Sequence, residues 1–173
     1  MHQQAFDPHR QQGLYWNELN DLQVMTCYIR RYRDYYGRWV KGLAGLKAVA
    51  SCGGIAAWAL WKEYAFWWGM IIAASQLADA LKEVFPFAKL HKRTSEYTII
   101  LRHLFVDAQL EWEMISSGQY TDEQIMRLCH QLRKRRLEAE QECVPDGLPL
   151  RGPLRDQAVR DANDESATLY RLE

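Results

Sequence analysis

The chain has 173 residues with 22 basic and 22 acidic side chains, so its formal charge of zero gives no reason to expect a nucleic acid as partner. Its mean hydropathy of -0.41 excludes a protein made mostly of lipid-facing helices, but is compatible with one short apolar hairpin. The length predicts one domain, and four scattered cysteines without a C-x-x-C pair predict structural thiols rather than a metal or redox centre.

Residues 1 to 13 are polar and include Pro8 and Gly13, which predicts a loose N-terminal arm. From about residue 14 the apolar positions recur at alternating spacings of three and four, the pattern of a helix seam that faces a partner helix. The seam residues are Leu22, Met25, Ile29, Tyr32, Tyr36 and Trp39. Such a seam packs either within its own domain or against a second subunit, and its regularity leads us to predict a homo-oligomer contact.

Two apolar segments follow the seam. Residues 42 to 61 contain Lys47 as their single charge, and residues 64 to 81 contain Asp79 as theirs. Each segment is close to the ~20 residues with which an α-helix crosses ~30 Å of hydrocarbon. Pro86 is expected to kink or end the second helix. The two segments predict a transmembrane hairpin at about residues 42–81.

The rest of the chain is predicted to be helical up to a polar tail. Gly118 predicts the end of one amphipathic helix, and Thr121 with Gln124 forms a capping-box pattern that starts the next. That helix is expected to fray near Cys143, ahead of a segment rich in Pro, Gly, Asp and Arg, so residues 144 to 173 are predicted to be a disordered tail. The predicted fold class is all-α, with two short transmembrane helices inside a helical domain of residues 14 to 143. Long amphipathic cytoplasmic helices flank the hairpin.

Charges and aromatic rings orient the predicted hairpin. Lysines and arginines are concentrated on both outer flanks, whereas the turn holds Lys62 beside Glu63, so both termini are expected in the cytoplasm. Trp and Tyr favour the headgroup level of a bilayer because each ring is apolar and carries one polar group. The residues expected at the membrane interfaces are Trp39, Trp58, Trp61, Tyr64, Trp67 and Trp68.

Lys47 and Asp79 are predicted to compensate each other inside the membrane hairpin. They lie about fifteen residues before and about sixteen residues after the turn, so an antiparallel hairpin places them at similar depth. A lone charge at the centre of a bilayer costs ~2.5–3.5 kcal/mol on insertion scales, whereas a pair near the interface costs much less.

This layout resembles that of the SLATT domains, which are bacterial proteins with two transmembrane helices. The likeness covers about residues 14 to 142. It rests on the basic, aromatic segment RRYRDYYGRWVK at 30 to 41, on the hairpin with its short turn, and on LEWE at 110 to 113. The resemblance implies an inner-membrane effector of anti-phage defence that oligomerises in the lipid bilayer and permeabilises it. It also implies an upstream sensor protein, linked to nucleotide second messengers, that activates the effector.

No catalytic signature accompanies this layout. The sequence contains no H-E-x-x-H, no G-x-S-x-G and no glycine loop that would cradle a phosphate, so we expect no enzyme activity and no cofactor. Two function classes remain open. The first is a pore-forming membrane effector, and the second is a soluble all-α protein–protein interaction module whose aromatic hairpin binds a partner.

Overall fold

The computed structural model describes residues 10–60, 65–80 and 87–170, and within these ranges every regular element is a helix. The five helices are α1 (Arg10–Leu60), α2 (Ala65–Ala80), α3 (Phe87–Ser116), α4 (Asp122–Cys143) and α5 (Gly152–Tyr170). The prediction of an all-α fold is therefore confirmed. Pro86, the turn at Lys62 and Glu63, and most of the N-terminal arm lie outside the described residues.

The chain divides into two compact units. The bundle unit consists of residues 1–32 and 93–173, and the hairpin unit consists of residues 33–92. The sequence predicts a single helical domain over residues 14–143 with a hairpin that starts near residue 42. The structure instead begins the hairpin unit at Arg33, within α1, and includes the C-terminal residues in the bundle unit.

The core of the bundle unit is built from one apolar stripe on each of α1, α3 and α4. Apolar residues that recur every three to four positions fall on one side of a helix, and these stripes face one another. The largest buried side chains are Tyr15, Leu19, Leu22, Ile29, Tyr32, Tyr97, Leu101, Ile115 and Ile125. Three of these nine are tyrosines, and the hydroxyls of Tyr15 and Tyr32 reach polar partners at the edge of the core.

Most residues of the predicted oligomer seam of α1 are buried by contacts within the chain. Leu22, Ile29 and Tyr32 are buried in the bundle unit, and Tyr36 is buried in the hairpin unit. Met25 is partly exposed, and Trp39 is exposed. Because four of the six side chains are already covered by their own subunit, intramolecular packing accounts for the regular spacing. The four buried seam residues are therefore core contacts of this chain, and a subunit contact through the seam stays a prediction.

The ends of α3 and α4 follow the local signals in the sequence. Gly118 adopts a positive φ of 76°, and its backbone N–H donates to the carbonyl of Ile115, which closes the end of α3. Thr121 and Gln124 form the complete capping box at the start of α4, with each side chain bonded to the other residue's backbone N–H. The predicted end of α4 near Cys143 is also confirmed.

The expected disordered tail is wrong over residues 152–170, which form α5 and pack on α1. Ala158 and Ala162 are buried, and their spacing of four places both small side chains on one face, where two helices approach closely. The guanidinium of Arg31 donates to both carboxylate oxygens of Asp161, at 2.6 and 2.7 Å, and Arg30 donates to Glu165 at 2.8 Å. Ion pairs thus take the place of large apolar side chains in this contact.

We predict that Arg31→Gln loosens α5. The variant loses a bidentate ion pair and lowers the free energy of unfolding by about 1 kcal/mol, since both partners are partly exposed. Limited trypsin digestion should then cut within α5 faster than in the wild type. Arg127→Gln is the matched control, because Arg127 forms an exposed i,i+4 pair with Glu123 in α4 and contributes little.

The same contact sets the expected pH dependence. The hydrogen bond from Arg31 lowers the pKa of Asp161, and the nearby Arg30 charge acts in the same direction. The stabilisation is therefore fully present above the unfolded carboxyl pKa of about 3.9 and is lost as the pH falls through the lowered folded value.

If α5 of Arg31→Gln is cut no faster than that of the wild type at neutral pH, this contact does not hold the helix.

Candidate functional site

The hairpin unit carries an unusually large set of exposed apolar side chains. We call this set the apolar hairpin surface, and its members are Val49, Phe66, Trp67, Met70, Ile72 and Leu77, each between 39% and 73% exposed. Five of the six lie on α2, a helix of 16 residues with Asp79 as its one charge. Large exposed apolar side chains concentrated on one helix are typical of a site that binds a membrane or another protein.

The predicted interfacial aromatic residues are only partly described. Trp39 is 48% exposed and stacks on Phe87, with ring centroids 5.7 Å apart and planes 12° apart. Trp67 is exposed, and its ring meets Phe66 edge to face at 6.1 Å. The side chains of Trp58, Trp61, Tyr64 and Trp68 lie outside the described residues. Both described tryptophans therefore offer ring surface to the surroundings of the hairpin unit.

Only one member of the predicted polar pair has a described side chain. Lys47 lies in α1 and is partly exposed, whereas Asp79 lies in α2 with its side chain outside the described residues. Their pairing therefore stays a prediction.

Within the hairpin unit, α1 and α3 approach closely at Gly37, a contact that the sequence analysis missed. A Cβ at Gly37 would lie 3.2 Å from Cε1 of His91, so a larger residue would push the imidazole away. The Nδ1 atom of His91 lies 3.1 Å from the carbonyl oxygen of Arg33, which requires a proton on that nitrogen. The glycine inside the segment RRYRDYYGRWVK was the signal for this close packing.

The described helices are short or polar relative to the hydrocarbon core of a bilayer, which is ~30 Å thick. At about 1.5 Å per residue, the 16 residues of α2 extend for about 24 Å. Across the ranges 10–60, 65–80 and 87–170, no helix combines the length and the apolar character that a membrane crossing requires.

A second candidate site is a cavity of about 360 Å³ in the bundle unit, between α1, α3, α4 and the segment that leads to α5. Its apolar wall includes Val24, Met25 and Leu148. Tyr97 is fully buried at this cavity, and its hydroxyl has no hydrogen-bond partner among the described residues. Burial, reinforced by the negative charge of Glu140, raises the pKa of this phenol, so the hydroxyl stays protonated as a donor.

Metal and thiol chemistry find no support in the described part of the chain. No group of three or more His, Cys, Asp or Glu side chains there is arranged to hold a metal ion. Cys27, Cys129 and Cys143 are buried free thiols. Burial is the largest cause that raises the pKa of Cys27 to about 11, so the reactive thiolate is rare at neutral pH.

Comparison of the chain with protein-family models, with curated proteins and with solved structures finds no match. The resemblance to the SLATT domains therefore rests on the residues quoted for it above.

We predict opposite outcomes for the two buried tyrosines of the bundle core. Tyr97→Phe should leave the free energy of unfolding unchanged or slightly raised, because the lost hydroxyl has no partner. Tyr15→Phe should cost about 1–2 kcal/mol, because it removes a 2.6 Å hydrogen bond to Glu111 and leaves that carboxylate short of a donor. Urea unfolding of both variants is the measurement. A loss of 1 kcal/mol or more for Tyr97→Phe would show that its hydroxyl has a partner after all.

Proposed function

We propose that the chain is a bacterial inner-membrane effector of anti-phage defence, whose apolar hairpin of about residues 42–81 lies in the bilayer while the bundle unit stays in the cytoplasm. The observation that carries the proposal is the apolar hairpin surface. The exposed rings and aliphatic chains of α2 would contact water in an isolated subunit, at a cost of about 25 cal/mol for each Å² of apolar surface. Burial of this surface in lipid removes that cost.

The surroundings of the hairpin support lipid as the covering medium. Basic residues lie on its outer flanks, where anionic headgroups of the cytoplasmic leaflet attract them. Trp39 and Trp67 keep exposed ring surface, which suits the headgroup level. Small residues are frequent along both helices, and they allow helices to pack closely where no hydrophobic force drives association.

The mode of action follows from the resemblance to the SLATT domains together with the polar residues of the hairpin. On this proposal the effector oligomerises and permeabilises the membrane after an upstream sensor detects infection. Lys47 and Asp79 form the polar pair that stabilises the resting hairpin. The sensor is a protein linked to nucleotide second messengers, and the effector itself is neither an enzyme nor a cofactor-binding protein.

We predict that the full chain stays in the membrane pellet after alkaline carbonate extraction. Met70→Glu should move a large share of the protein to the supernatant, because it places a charge in the middle of the apolar hairpin surface. Leu150→Glu is the matched control, since Leu150 is a 75% exposed apolar residue of the bundle unit and should have no effect.

Two results test the topology and decide between the function classes. Reporter fusions at Met1 and Glu173 should both report cytoplasm, and an external signal from either would contradict the topology. Complete release of the wild-type chain by carbonate would rule out the integral membrane protein. The apolar hairpin surface would then belong to a protein–protein interaction module, in which a partner protein covers the same side chains.

We predict that Lys47 and Asp79 depend on each other. Lys47→Ala and Asp79→Ala should each lower membrane accumulation or cause unregulated leakage, because each leaves one charge uncompensated near hydrocarbon. The exchange of Lys47→Asp with Asp79→Lys should recover most of the wild-type behaviour. Dye uptake and membrane potential during controlled expression are the measurements. An exchange variant that is no better than the single variants would show that the two residues do not pair.

A further inference from the structure

The outer face of α3 in the bundle unit carries an apolar stripe that the described residues leave uncovered. The inner face of this helix is buried, and it includes Tyr97, Leu101, Leu104 and Ala108. On the opposite side, Ile99, Val106 and Leu110 are 57%, 62% and 55% exposed. Together with the exposed His103 they occupy positions 99, 103, 106 and 110, a spacing of four, three and four. We call these four residues the outer seam.

We propose that the outer seam pairs with the same seam of a second copy of this chain, with the two α3 helices parallel and in register. A spacing of four, three and four assigns the residues to alternating d and a positions of a heptad, which form the contact line of a two-stranded coiled coil. His103 occupies one a position, where a polar side chain fixes register at some cost in stability. This inference stands apart from the membrane proposal, because it uses side chains of the bundle unit alone.

The charges beside the seam favour a second copy as the partner, and they favour the parallel direction. Arg102 precedes His103 and takes a g position, while Asp107 follows Val106 and takes an e position. In a parallel pair each g side chain meets the e side chain five residues further along the partner helix, so Arg102 of one copy meets Asp107 of the other. Symmetry repeats this contact, which gives two ion pairs. In an antiparallel pair Arg102 would instead meet the neutral Gln109.

Charges at both ends limit the length of the contact. Glu96 and Glu113 occupy the next seam positions on either side, where in-register pairing would bring like charges together. The outer seam therefore covers twelve residues, about 18 Å of helix at ~1.5 Å per residue. So short a contact gives weak, concentration-dependent association, of the kind that a second contact or confinement to a surface would strengthen.

A matched pair of leucines tests the seam. Leu110 in α3 and Leu137 in α4 are exposed to almost the same degree, 55% and 54%. Sedimentation of the full chain in mild detergent, over a range of protein concentrations, measures the dimerisation constant. Leu110→Glu should weaken it on the order of a hundredfold, because two buried charges replace a leucine layer. Leu137→Glu should leave it unchanged. Equal constants for both variants and the wild type would overturn the proposal.

Charge reversal tests the partner chemistry. Arg102→Asp and Asp107→Arg should each weaken dimerisation about tenfold, because each turns two attractive contacts into repulsive ones. The double variant should return to within about threefold of the wild type, and a mixture of the two single variants should form a heterodimer. Arg102 also lines a groove with Asp164 of α5, so a purely internal effect predicts weak association for the double variant as well.

A disulfide tests the direction and register of the pair. With Ile99→Cys, a parallel in-register dimer places the two new thiols in the same layer, and mild oxidation should link them. In an antiparallel dimer they would lie about eleven residues, roughly 16 Å, apart and should stay unlinked. Leu137→Cys serves as the control for random collision. If Ile99→Cys links no faster than Leu137→Cys, the proposed pairing is wrong whether or not the hairpin unit enters a membrane.

Discussion

The buried face of α1 between Tyr15 and Tyr32 determines where every other helix of the bundle unit lies. Three polar contacts at the edges of this face connect α1 to the other helices, one contact to each helix. Tyr15 donates to Glu111 of α3, Arg133 of α4 donates to Glu18 at 2.8 Å, and Arg31 binds Asp161 of α5. Tyr32 donates to the carbonyl of Pro149, which fixes the segment ahead of α5. The apolar stripe drives collapse, and these directional contacts select one arrangement.

The two units treat their apolar residues in opposite ways. The bundle unit buries its largest aliphatic and aromatic side chains and surrounds them with paired charges, although α3 keeps the outer seam exposed. In the hairpin unit, α2 leaves most of its large apolar side chains outside. A sequence average cannot report this difference, because the polar bundle residues offset the apolar hairpin residues. The mean hydropathy was thus compatible with both function classes, and the exposed surface of α2 bears on the choice between them.

Local signals in the sequence were sufficient to predict the helix ends. They were not sufficient to predict contacts between residues that are distant along the chain. Gly118 and the capping box of Thr121 act within a few residues, so their pattern predicts their geometry directly. The tail was misjudged because α5 is held by Arg31, whose partner Asp161 lies 130 positions further along the chain. A seam spacing identifies a contact face without naming its partner. For this reason the α1 seam suggested a subunit contact, whereas Ile29 and Tyr32 pack inside the chain. The cavity at Tyr97 had no signal in the sequence, since it results from how three helices and a connecting segment fit together.

Ion pairs attach α5 to the bundle, so added salt weakens this attachment. The apolar packing of the core responds in the opposite direction. The Arg31 and Asp161 side chains are partly open to water, so mobile ions gather around them and weaken their attraction as the ionic strength rises. Salts such as sulfate, which are excluded from protein surfaces, strengthen the burial of Leu22 and Leu101 instead. Concentrated sulfate would therefore strengthen the apolar packing among α1, α3 and α4 while it weakens the ion pairs that hold α5. The ionic composition of the surroundings is therefore a variable that acts differently on the last helix of this chain and on the core of its unit.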